Sequence, residues 1–120
     1  MVYLTVNETQ VIKPYVFTGT LITEWDDGRN VWDEVLKSDN CVENFADNLV
    51  AICCHFGFDG YLLNVENAVS PEQVSGLELF VKRIHRKLHD KIPHAEVIWY
   101  DSVTKEGKLE WQNELNHLNR

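Results

Sequence analysis

The chain has 120 residues, 44% of them hydrophobic and 25% charged, which fits one globular domain at most and excludes disordered and fibrous classes. Nineteen acidic against eleven basic residues give a net charge of -8, so a phosphate backbone finds little to bind and nucleic acid is excluded as a partner. No stretch approaches the roughly 20 apolar residues that span a bilayer, and the start MVYLTVNETQVIKPYV lacks the basic and apolar regions of a signal peptide, which predicts a cytoplasmic (cytosolic) chain with no membrane partner.

Residues 2–6 form an extended run that is either an edge strand or a disordered start. Asn7-Glu8-Thr9 matches a glycosylation acceptor and, with no export signal, is read as unused. The first strand is predicted over residues 15–22 (YVFTGTLI), followed by a polar turn at Asp26, Asp27 and Gly28 and a short helix near 30–37. A second helix is predicted over 42–56, capped by Asp39 or Asn40 and stopped by Gly57, with Phe45, Leu49, Ile52 and Phe56 on the face that packs against a sheet. Residues 60–65 (GYLLNV) are nearly all apolar, as expected of a central parallel strand covered on both faces. Ser70-Pro71-Glu72-Gln73 then combines an N-cap serine, a proline at the first helical position and a glutamine at the third. The helix it opens carries Val74, Leu77, Val81, Ile84 and Leu88 in one stripe and closes before Pro93. Residues 96–100 (EVIWY) make the third strand and 109–118 the last helix. Strands alternating with helices predict parallel βαβ units and an α/β fold. Cys41, Cys53 and Cys54 are odd in number, two of them adjacent, and are read as reduced, buried thiols.

Each predicted strand ends in residues able to do chemistry: Thr23-Glu24-Trp25-Asp26, Asn64-Val65-Glu66-Asn67 and Tyr100-Asp101-Ser102. In parallel α/β folds the site gathers at the carboxyl ends of the strands, where loops vary on rigid roots. Asn64 and Glu66 are the sharpest pair, because residues two apart on a strand share a face. A carboxyl closed in by apolar neighbours keeps its proton to higher pH and can act as a general acid, and the amide beside it can donate and accept hydrogen bonds. The bland reading of the pair is a strand-capping Asn and a solvated Glu. Glu24 and Asp101 are each able to serve as a second carboxylate. Trp25, Trp99, Tyr100 and Trp111 are either sugar platforms or packing, with Trp99 and Trp32 read as packing. His85 and His89 are spaced for a metal but stand in the basic run Lys82-Arg83-Ile84-His85-Arg86-Lys87, which favours a solvated helix face.

The segments GTLITEWDDG, GFDGYLLNVEN and VIWYDSVTKEGKLEWQNELNHLNR, in this order and spacing, resemble the cytosolic endo-β-N-acetylglucosaminidases of glycoside hydrolase family eighty-five. The likeness covers residues 19–120, and residues 1–18 are an unplaced segment. The resemblance implies a partial (β/α)₈ TIM barrel of about three βα units. It also implies hydrolysis of the β-1,4 bond in the N,N'-diacetylchitobiose core of N-linked glycans by a retaining, substrate-assisted route through an oxazoline. By motif match Glu66 is the general acid and base and Asn64 orients the acetamide; Tyr100 assists, Trp111 lines the sugar site, and Glu24 is a strand-end carboxylate. The family has Trp where this chain has Tyr61. No cofactor and no metal are implied, and the expected partner is the N-glycan of a glycoprotein, glycopeptide or free oligosaccharide. A whole barrel takes about 250 residues, so the alternative is a catalytically silent fragment that serves in binding or regulation.

Overall fold

A computed structural model describes residues 15–100. Three parallel strands, β1 (Gly19–Thr23), β2 (Gly60–Val65) and β3 (Glu96–Trp99), lie in the order β1-β2-β3. Two helices, α1 (Trp25–Val35) and α2 (Asp39–Phe56), connect β1 to β2; a 3₁₀ turn at Pro71–Gln73 leads into α3 (Val74–Lys91), which connects β2 to β3. The α/β expectation and the central place of β2 both hold. The register pairs Gly19 with Tyr61 and Thr23 with Val65 on one side of β2, and Gly60 with Glu96 and Leu63 with Trp99 on the other.

Side-chain alternation divides the sheet into two unlike faces. Tyr61, Leu63 and Val65 are buried with Val42, Ala46, Leu49, Val50 and Cys53 of α2 and Leu77, Phe80, Ile84 and Leu88 of α3. The buried Tyr61 hydroxyl donates to the Leu49 carbonyl oxygen of α2 at 2.7 Å, which fixes this as the helix-covered face. Burial, then the negative field of Cys53 and Cys54, pushes the Tyr61 hydroxyl well above the usual tyrosine range, and the proton stays in that bond. The opposite face presents Ile22 and Ile98 at 50% and 41% exposure. Coverage of both faces was therefore the wrong expectation for the described residues: the helices cover one.

Local chemistry explains where the elements start and stop. The first strand begins at Gly19 rather than at residue 15, because Phe17 is spent on Asp59: its N–H donates to Asp59 Oδ2 at 2.9 Å and its carbonyl accepts from the Asp59 N–H at 2.6 Å. The expected turn at Asp26, Asp27 and Gly28 is instead the beginning of α1, five residues ahead of the predicted start. Asp26 and Asp27 suit a first helical turn, where the exposed N–H groups favour negative charge. Ser38, not Asp39 or Asn40, caps α2, its hydroxyl accepting from the Cys41 N–H at 3.2 Å. Gly57 ends α2 at φ 73°, the left-handed conformation that glycine adopts without strain. The buried stripe of α2 excludes Ile52 and Phe56, which are 44% and 41% exposed, because the helix turns Ala46, Val50 and Cys53 to the core in their place. The Gln73 side chain accepts from the Ser70 N–H at 3.0 Å, as the capping pattern predicts, though that turn is 3₁₀ before α3 proper begins.

The core centres on Trp32 of α1, fully buried, whose ring meets Phe45 at 5.9 Å and Phe80 at 5.2 Å in edge-to-face contacts. Trp99 packs partly buried against the same core, as predicted. None of the three thiols is in a disulfide; Cys53 is buried, Cys41 half-buried and Cys54 exposed, so burial was wrong for Cys54, which α2 turns to solvent. The rings of His85 and His89 meet tilted at 4.2 Å on α3, and a His89 ring nitrogen lies 2.7 Å from the His85 carbonyl oxygen. At the amino end of the sheet Gly60 lies against β3, where an added Cβ would overlap the Glu96 carbonyl oxygen.

Charges join α2 to α3 outside this core. Glu43 lies 2.7 Å from Lys87, 3.2 Å from Arg83 and 3.8 Å from Arg86, and Lys87 also meets Asp47 at 2.6 Å. The hydrogen bond from Lys87, with the field of the three cations, holds the Glu43 carboxyl below its ordinary range. The bonds to Asp47 and Glu43 hold the Lys87 ammonium above its own. A depressed carboxylate adds stability that is present above the unfolded value of about 4.3 and is lost as pH falls through the lower folded value. Glu43→Gln should lower the melting temperature slightly at pH 7, since the pair is only half-buried and reachable by water, and the gap to the parent should close near pH 3; circular dichroism melts at the two pH values check it.

Candidate active site

Parallel pairing brings the carboxyl ends of all three strands to one edge. The Glu66 N–H donates to the Thr23 carbonyl oxygen at 2.7 Å, extending the β1–β2 ladder one residue past β2. The Tyr100 N–H donates to the Leu63 carbonyl oxygen at 2.9 Å, doing the same for β3. Thr23 is held from its other side by the buried Trp32 indole, whose N–H donates to Thr23 Oγ1 at 2.8 Å.

On this frame Asn64 and Glu66 stand side by side, as period-two spacing predicts. The Asn64 amide donates to Glu66 Oε1 at 3.1 Å. Asn64 is half-buried and Glu66 exposed, so the apolar enclosure expected around the carboxyl is not made by the described residues. Tyr100 is 43% exposed at the next strand end. Glu24 is exposed at the N-cap position of α1, and its carbonyl oxygen accepts the Gly28 N–H at 2.8 Å. Trp111, Asp101, Ser102, the last predicted helix and the run at 2–6 with its glycosylation pattern lie outside the described residues.

Hollows lie on either side of α1 near the strand ends. One of about 300 Å³ is lined by Ile22, Thr23, Glu24, Trp25, Asp27, Gly28 and Val31. Ile22 is the register partner of Asn64, so one wall of this hollow stands on the strand next to the Asn64–Glu66 pair. The other, of about 350 Å³, lies between α1 and the loop after β2, and includes Arg29, Asp33, Ser70 and Gln73. Gln73 spans it, donating to Asp33 Oδ1 at 2.6 Å. Both are large enough for a small ligand.

Three features of the site escaped the sequence reading. Trp25, left open between platform and packing, is 83% exposed and has φ 54°, a conformation that costs a bulky residue about 1–3 kcal/mol. Asn67 is 3% exposed and packs over Gly28, where an added Cβ would stand 2.6 Å from Asn67 Oδ1 and 2.9 Å from the Thr23 backbone. The Thr23–Trp32 bond joins residues nine apart with no local pattern to announce it. The only available sign was Gly28 itself, a glycine inside a segment of otherwise helical composition.

A parallel sheet with an amide–carboxyl pair at its strand ends defines an α/β protein with a candidate catalytic site at that edge. The chain belongs to glycosyl hydrolase family 85, whose profile matches residues 14–120. It is 42% identical over 102 residues to cytosolic endo-beta-N-acetylglucosaminidase 2 of Arabidopsis thaliana, covering 85% of this chain and 15% of that protein. It is 45% identical over 102 residues to cytosolic endo-beta-N-acetylglucosaminidase of Danio rerio and 42% over 103 to that of Homo sapiens, each match covering 85% of this chain and 14% of the relative. The chain thus spans about one seventh of the length of the curated relatives it matches. No solved structure matches it.

The close approach of α1 to both strand ends makes a direct prediction. Gly28→Ala should push α1 away from Asn67 and Thr23 and cost about 1–3 kcal/mol, the usual range for overpacking. Urea denaturation followed by tryptophan fluorescence measures it, and an unchanged midpoint would show that the contact has room to spare.

Proposed function

We propose that the chain carries the catalytic pair of an endo-β-N-acetylglucosaminidase, acting on the β-1,4 bond between the two N-acetylglucosamines of an N-glycan core. The observation that carries this reading is the 3.1 Å contact between the Asn64 amide and Glu66 Oε1 at the carboxyl edge of the sheet. Kinship with enzymes named cytosolic endo-beta-N-acetylglucosaminidase supports both the reaction and a cytosolic setting. No helix among the described residues is long and apolar enough to cross a membrane.

The chemistry follows from the groups in place. Glu66 in its acid form gives its proton to the leaving glycosidic oxygen as the bond to the anomeric carbon breaks. The substrate's own 2-acetamido oxygen bonds to that carbon from the opposite face, forming an oxazolinium, so no enzyme nucleophile is needed, an exception to the usual pair of carboxylates. The Asn64 side-chain oxygen accepts the acetamide N–H and keeps its oxygen aimed at the anomeric carbon. Glu66, now a carboxylate, takes a proton from water, which attacks the same carbon and reopens the ring with net retention. Tyr100 acts from the next strand end, Glu24 stands at the mouth of the smaller hollow, and Trp111 lines the sugar site. The three strands form an arc of a (β/α)₈ barrel whose axis lies on the side of Ile22, Asn64 and Ile98, and residues 19–120 are the barrel part.

The uncovered sheet face favours a second reading, in which the chain keeps these residues and folds without catalysing. Incubation with a labelled N-glycopeptide separates the two. Release of glycan by the parent, with loss of about 10²-fold or more in Glu66→Gln, is expected; no release by a folded, monodisperse parent favours the silent reading. Asn64→Ala should suppress hydrolysis of the glycopeptide while a preformed glycan oxazoline remains a usable donor, and equal loss with both substrates would show that Asn64 does not orient the acetamide.

A further inference from the structure

The hollow at the end of β1 holds a side chain whose placement folding alone does not explain. Trp25 is 83% exposed, the largest exposure among the large hydrophobic residues described, whereas Trp32 is fully buried and Trp99 packs against the core. Its backbone sits at φ 54°, where glycine or asparagine would be comfortable and a bulky residue is strained. Leaving an aromatic ring in water on a strained backbone gives up stability twice over. Backbone strain of this kind persists where the side chain it presents is needed.

What the ring would meet is defined by its neighbours. Ile22, half exposed on the same sheet face as Asn64, gives the hollow an apolar wall. Glu24 and Asp27 line it with carboxylates, and Thr23 and Gly28 complete it at about 300 Å³, a space that takes a single pyranose ring. A pyranose has one face of C–H groups and a rim of hydroxyls. The C–H face gains by covering the indole, and the hydroxyls donate to carboxylate oxygens.

We propose that Trp25 is a stacking platform that binds a pyranose ring of the glycan adjoining the cleaved bond, with Glu24 and Asp27 holding its hydroxyls. This rests on the endoglycosidase reading of the Asn64–Glu66 pair and adds to it a specificity-determining residue from the end of β1. A strained tryptophan also separates binding from stability. Glycine relieves the backbone and removes the ring, so Trp25→Gly should fold at least as well as the parent and bind glycan worse.

The test uses the 120-residue chain carrying Glu66→Gln, titrated calorimetrically with a glycopeptide bearing the trimannosyl chitobiose core. Trp25→Ala and Trp25→Gly should each weaken binding by about tenfold or more. Trp25→Phe should stay close to the parent, and Trp25→Gly should melt at the same temperature or higher. Unchanged affinity in the Ala and Gly variants overturns the proposal and leaves the endoglycosidase reading standing. Affinity that falls together with melting temperature in both variants, or falls as far in Trp25→Phe, makes the residue structural and overturns it as well. Absence of binding by the Glu66→Gln chain itself overturns the reading of the catalytic pair, and the platform with it.

Discussion

Thr23 is where the architecture of the site is decided. Its carbonyl oxygen accepts the Glu66 N–H and its hydroxyl accepts the Trp32 indole N–H, so one residue at the end of β1 ties β2 to the most buried side chain of α1. Both bonds lie where water is scarce, since Thr23 is 8% exposed and Trp32 fully buried. A bond of this kind contributes about 1 kcal/mol, and orphaning one partner costs about 1–3. Asn64 and Glu66 inherit their position from it, because the strand leaves the sheet only after Glu66 has been held. Gly28 and Asn67 close the same junction, allowing α1 to start directly above the strand ends.

Much of the fold could be read from residue patterns, and the failures share one cause. β2 and the course of α3 follow from an apolar run and a proline-led cap, signals that are local. α1 was misplaced because Asp26-Asp27-Gly28 is good turn chemistry in isolation, and only the tight contact of Gly28 with Asn67 and Thr23 makes glycine the right helical residue there. Ile52 and Phe56 fit the period of α2 as well as Ala46 and Val50 do. The choice between them depends on which way the helix rolls against α3, and that is tertiary information. The pairing of Asn64 with Glu66 was legible because period two is a property of every strand. The strained backbone of Trp25 was not, since it depends on what surrounds the residue, and for the same reason the choice between an enclosed and a solvated Glu66 stayed open.

The charged side chains are divided between two regions of the fold. Arg83, Arg86 and Lys87 are engaged with Glu43 and Asp47 on the outer side of the helices, away from the strand ends. Glu24 and Asp27 line the smaller hollow, and Arg29 and Asp33 the larger one.

The strand order has a consequence for how the chain reaches this state. Each strand pairs with the one preceding it, and each pairing closes a loop of roughly forty residues that contains its own helices. No contact between strands has to wait for a segment two strands away. The β1–β2 layer can therefore consolidate, with Thr23 already holding Glu66, before β3 is added to the edge, an order that matches the direction in which a ribosome delivers the chain.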